Sequence, residues 1–112
     1  MPKQFVKRST VPDEVSPILA RLGERISIAR RRRGLRLVDL AKKIGVSPPT
    51  MIRIERGEPT VAFGAYAMAL WALGLLADLA KLADPAQDQA GLTHDLARLP
   101  DRVRGESLDN DF

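Results

Sequence analysis

The chain contains no cysteine and a single histidine, His94, among 112 residues. Without thiols there is no disulfide framework and no thiolate metal site. One histidine cannot build a histidine-rich metal centre either, so neither metal nor cofactor is expected. Aromatic residues make up 4% of the chain, too few for the stacking platforms with which single-strand binders hold bases. No basic stretch followed by an apolar one opens the chain, so no signal peptide is expected. The lack of cysteine fits a reducing, cytoplasmic setting. The uncharged run 61–77 is seventeen residues long, whereas a membrane span needs about twenty predominantly apolar residues. It is also rich in alanine and holds two glycines. It reads as a helix buried on nearly every side, with one face in the core and the other against a second subunit.

What is present is a charge asymmetry. The net charge of +4 hides +1 over residues 1–15, +7 over 16–60, −1 over 61–84 and −3 over 85–112. A basic module followed by an acidic tail suggests a polyanionic partner for the first and a different partner for the second. The length allows one domain with a modest core. The expected organisation is a flexible arm (1–15), a compact domain (16–84) and a tail (85–112) that is a possible partner-docking segment.

No segment alternates with period two, so an all-α, five-helix domain is expected. Ser16 is placed to cap a first helix with Pro17 in its first turn. Ile18, Leu19, Leu22, Ile26 and Ala29 follow at helical spacing, to about Arg33, with Gly34 as the stop. Leu37, Leu40, Ala41 and Ile44 form a short second helix ended by Gly45. Ser47 caps a third with Pro48 and Pro49 in its first turn, Met51 and Ile54 inward and Gly57 at its end. A fourth helix is expected over about 61–73 and a fifth over about 75–83. Beyond Pro85 one short helix is expected around 92–99.

Residues 37–57, LVDLAKKIGVSPPTMIRIERG, carry the function. Small Ala41 lets two helices cross closely, Gly45 permits a left-handed turn, and Val46 plugs it from below. Together these describe a helix-turn-helix whose second helix is placed to enter a major groove. Residues 22–74 resemble the phage repressor/Cro-type (XRE) helix-turn-helix family. The likeness is carried by LGERI at 22–26, Leu40 with Ala41, the run Gly45, Val46, Ser47, the run Ile54, Glu55, Arg56, Gly57, and Ala72, Leu73, Gly74.

That resemblance implies a structural ion pair between Arg30 of the first helix and Glu55 of the third. It also implies DNA contacts. The base-reading positions hold Pro48, Pro49, Thr50 and Arg53. Arg53 suits a bidentate guanine contact or a phosphate contact, Thr50 a base or a phosphate, and the prolines thymine methyls. Ile52 stands where a polar residue is usual and offers a further apolar contact. Backbone contacts fall to Ser47 and Arg56, with Lys42 and Lys43 as helpers. The family's glutamine near the start of the second helix is missing here. Arg36 and Leu37 occupy that region, and Arg36 is the substitute phosphate ligand. In the basic run 30–33, Arg30 is expected inside and the others partly exposed.

Family members read palindromic sites as dimers. Tyr66, Leu70, Trp71, Leu75, Leu76 and Leu79 exceed what one small core needs and are the candidate dimer interface. The layout is also similar to HipB-like antitoxins, through LGLLADLAKLADP at 73–85 and ARLPDRVRG at 97–105. This second resemblance implies a bacterial, cytoplasmic repressor that binds its own operator as a homodimer and holds a HipA-like kinase toxin. A free-standing regulator and a protein-interaction adaptor are the other readings. An enzyme is the least favoured, since Ser27, Asp39 and His94 make no nucleophile–base arrangement and no glycine-rich phosphate loop is present.

Overall fold

A computed structural model describes residues 11–98. Contacts divide the chain into two units, Met1–Ala80 and Lys81–Phe112. The break falls a few residues before the expected start of the tail. The described part of the first unit holds α1 (Ser16–Arg32), α2 (Leu37–Ile44), α3 (Pro48–Glu55), α4 (Phe63–Ala72) and the single turn α5 (Leu76–Leu79). The second holds a 3₁₀ turn (Pro85–Gln87) and α6 (Gln89–Arg98). Every regular element among the described residues is helical: five α-helices in the first unit, as expected of the domain, and a sixth beyond Pro85, where one short helix was expected.

The start of α1 differs from expectation. Ser16 is already the first helical residue. Val15 stands at the cap position without a side-chain cap. Backbone bonds from Val15 and Ser16 to the Pro12 carbonyl form a turn that runs straight into the helix, so the described part of the expected arm is a hydrogen-bonded turn. Residues 1–10 of that arm lie outside the described residues. Gly34 follows α1 at φ +69, as its place after the last periodic residue suggests.

Ile26, Leu40, Met51 and Ile54 are fully buried and pack with Ala29, Ala41, Ile44, Tyr66, Ala69 and Leu73. This core draws on all four longer helices of the first unit. α4 starts two residues later than expected because Val61 packs against the core from the preceding turn. α5 is far shorter than expected. Ala83 adopts φ 56 and Asp84 is extended before Pro85, as proline requires of the residue before it. No described helix is long and apolar enough to cross a membrane.

Tyr66, expected at a dimer interface, is instead a core residue at 3% exposure. Its hydroxyl donates to the Glu58 carbonyl oxygen at 2.7 Å, closing the loop between α3 and α4. Burial, and secondarily the charge of Glu58, pushes its pKa up from 10.0 to about 12. Folding therefore favours the protonated phenol. The stabilisation is complete below the unfolded pKa and is lost as pH rises toward the folded one. Across pH 10 to 12 the melting temperature of the wild type is expected to fall more steeply than that of Tyr66→Phe. Parallel curves in thermal melts would assign the alkaline loss to other groups.

The second unit begins with two aspartate caps. Asp84 accepts from the Ala86 amide at 2.9 Å and Asp88 from the Gly91 amide at 2.9 Å. Asp88 starts α6 three residues before the expected helix. No residue of α6 is buried, and Leu92 and Leu96 lie exposed one turn apart.

Candidate nucleic-acid interface

The α2–α3 turn is built by local chemistry. Gly45 takes φ 75, and the Val46 amide reaches back to the Ala41 carbonyl at 2.9 Å. This satisfies a carbonyl that the end of α2 would otherwise leave open. Val46 packs on the core below the turn. Ser47 then caps α3 by accepting from the Thr50 amide at 3.3 Å. Pro48 and Pro49 fill a first turn whose amides would have had no helical partner.

With Met51 and Ile54 fully buried, the positions left outside on α3 are Pro48, Pro49, Ile52, Arg53 and, just past its end, Arg56. They recur at helical spacing as one stripe. Eight residues of α3 span about 12 Å, about the width of a B-DNA major groove. The stripe opens apolar and ends cationic. Arg53 is oriented from below. Its Nη2 donates to Thr50 Oγ1 at 3.1 Å, and Ser47 Oγ donates to the same oxygen at 3.1 Å. A guanidinium held at one corner keeps its other donors for an acceptor pair such as the guanine edge. Thr50 is half-buried and serves this network. Lys42 and Lys43 are exposed on the last turn of α2, where cations also suit the helix dipole.

The scaffold behind the stripe is a fork between Arg30 and Glu55. Arg30 Nε meets Glu55 Oε2 at 2.6 Å and Nη2 meets Oε1 at 3.0 Å. The third guanidinium nitrogen, Nη1, donates to the Leu35 carbonyl at 2.8 Å. The two side chains are only 11% and 9% exposed. One arginine thus ties α1, the loop before α2 and the end of α3. Its hydrogen bonds to Glu55 hold the guanidinium above its ordinary pKa, outweighing the opposing effect of burial.

Arg36 does not stand free for a phosphate. Its Nε and Nη2 bind the Asp39 carboxylate at 3.1 and 3.0 Å, and its amide donates to the same group at 2.8 Å. Hydrogen bonds from Arg36 hold the Asp39 carboxyl below the usual carboxylate range. A phosphate at this point has to compete with Asp39. The partner was readable as an acidic residue three positions into α2, the usual place for a group that caps a helix start. Within the basic run, Arg33 bonds the Ala29 carbonyl at 2.8 Å, while Arg31 and Arg32 are exposed.

A family model described as a helix-turn-helix domain matches residues 21–84, more than half of the chain. The chain belongs to the helix-turn-helix domain family. The matched segment runs from within α1 to the end of the first unit and beyond, and contains the α2–turn–α3 pair described above, the arrangement of a DNA-binding domain. No curated protein and no solved structure gives a significant match.

Of the candidate dimer residues, Trp71 and Leu76 are exposed at 58% and 43%, while Leu70 and Leu75 are partly buried against the core. Leu79 is half-buried. Phe63 and Met68, which were not singled out, are exposed at 60% and 44%. Their signal in the sequence was the apolar excess of α4 itself.

Proposed function

We propose that this protein is a transcriptional repressor that reads an inverted repeat as a homodimer, and that it is the antitoxin of a kinase toxin in whose operon it lies. The DNA reading rests on one observation above others: the outward stripe of α3, with Arg53 braced by Thr50 and ending at Arg56. In this reading α3 lies in the major groove, Arg53 contacts a guanine, Pro48, Pro49 and Ile52 meet thymine methyls, and Ser47, Arg56, Lys42 and Lys43 hold phosphates. The exposed Phe63, Met68, Trp71 and Leu76 support pairing of two copies. The antitoxin role is supported by the HipB-like strings at 73–85 and 97–105 and by α6, a helix without buried residues that carries exposed Leu92 and Leu96. Residues 99–105 of the second string lie outside the described residues.

The test is binding to the inverted repeat upstream of its own gene, with affinity falling as salt rises and two chains bound per repeat. Arg53→Ala is expected to cost about 1–3 kcal/mol on the repeat and to relax base preference at one position. Lys42→Ala is expected to weaken every sequence alike and to reduce the salt slope by about one. Equal loss on all sequences for Arg53→Ala would make it a phosphate ligand. Removal of residues 85–112 is expected to leave DNA binding within about twofold and to abolish capture of the kinase encoded alongside, read by co-purification. Undiminished capture would place the toxin contact in the helix-turn-helix unit.

A further inference from the structure

The basic surface of this protein has a second focus that DNA reading does not use. Arg25, Arg32 and Arg33 rim a concavity of about 320 Å³ floored by Ile28, Ala29 and Leu75. On a helix of 3.6 residues per turn, Arg25 and Arg32 lie about 200° round from Gly23 and Arg30, the residues with which α1 meets α3. The concavity therefore opens on the side of α1 away from the recognition helix. Among the described residues neither Arg25 nor Arg32 has an ion-pair partner. Arg33 spends only Nη1, on the Ala29 carbonyl.

We propose that this cleft docks an acidic segment of a protein partner, with two carboxylates four residues apart and an apolar side chain midway between them. The occupant follows from shape and charge. Arg25 and Arg32 stack on one face about 10 Å apart along α1. In an extended peptide, residues i, i+2 and i+4 share one face, and i and i+4 are about 13 Å apart, a span that two long arginine side chains can reach. The apolar floor between the arginines takes the intervening side chain, which a DNA backbone does not supply. The concavity is open to solvent, whereas small-molecule sites enclose most of their ligand.

The experiment uses the full chain and a labelled peptide containing Asp-Ala-Leu-Ala-Asp, followed by fluorescence anisotropy. Arg25→Gln/Arg32→Gln is expected to weaken peptide binding at least tenfold and to leave operator binding within about threefold. Serine in place of the peptide's leucine is expected to weaken it comparably. Equal binding by wild type and the double variant would overturn the proposal, as would equal binding of a peptide with its two aspartates adjacent. The chain's own sequence also places Glu106 and Asp109 on either side of Leu108. Tighter peptide binding by Glu106→Gln/Asp109→Asn than by the wild type would therefore overturn an outside partner as the occupant. A random duplex that displaces the peptide and itself loses tenfold on Arg25→Gln/Arg32→Gln would make the cleft a phosphate surface instead.

Discussion

Gly57→Ala is expected to destabilise the protein by about 3 kcal/mol or more, through two independent costs. The residue sits at φ 69, just past the end of α3. A non-glycine residue there costs about 1–2 kcal/mol. A methyl group at this position would also overlap the backbone of Leu19 and Ala20 in α1. Backbone cannot swing aside as a side-chain tip does, so the helix has to move. Overpacking of this kind costs typically about 1–3 kcal/mol. A domain this small is stable by roughly 5–15 kcal/mol, and each kcal/mol is worth about 4–8 °C in melting temperature. A fall of about 15 °C or more in a circular-dichroism melt is therefore the expected result.

Two neighbouring glycines calibrate it. Gly34 has the same φ of 69 but nothing within 4 Å of its missing side chain, so Gly34→Ala isolates the conformational cost. Gly23 lies inside α1, where alanine would normally favour the helix by about 1 kcal/mol. Its added methyl would stand 2.6 Å from the Glu55 carbonyl oxygen and 2.7 Å from that of Ile54, so Gly23→Ala isolates the overlap. The expected order of damage is Gly57, then Gly23, then Gly34. If Gly57→Ala melted within a few degrees of Gly34→Ala, α1 would not press on the turn after α3 as described.

These glycines show where a sequence can be read and where it cannot. Gly34, Gly45 and Gly57 mark helix ends, and that role is local: a periodic apolar run stops and glycine follows. The same logic makes α2, α3 and the Ser47 cap legible. The close approach of Gly23 to Gly57 is not local, because it joins positions that only the crossing of α1 and α3 brings together. Tyr66 illustrates a second limit. Its spacing marks it as apolar and on α4, but α4 is apolar all round, so periodicity cannot say which face meets the core. Arg36 is a different case: its pairing with Asp39 is local, and the acidic residue three positions into α2 was its signal. The stripe on α3 was legible because buried Met51 and Ile54 fix which face is left outside.

Glu55→Ala is the second large effect. It leaves Arg30 mostly buried with one remaining partner, the Leu35 carbonyl. Removing one member of a buried ion pair costs about 3–5 kcal/mol. The pair is not wholly enclosed and Arg30 keeps that carbonyl, so about 2–3 kcal/mol and a fall of about 10 °C are expected, read by the same melts. The loss should change little between low and high salt, because a pair shielded from solvent is weakly screened. A loss that vanished at high salt would make the fork an ordinary surface pair. Arg30→Met/Glu55→Leu then separates two roles that a single substitution confuses. Replacing both charges with apolar groups of similar size strands neither, and such exchanges are often neutral in stability. The exchange also removes the three directional bonds that fix the end of α3 against α1 and the loop before α2. Recovery of the melting temperature without recovery of operator affinity would show that the fork's work is to hold α3 at its angle. Recovery of both would show that packing at Gly23 and Gly57 is enough to hold it.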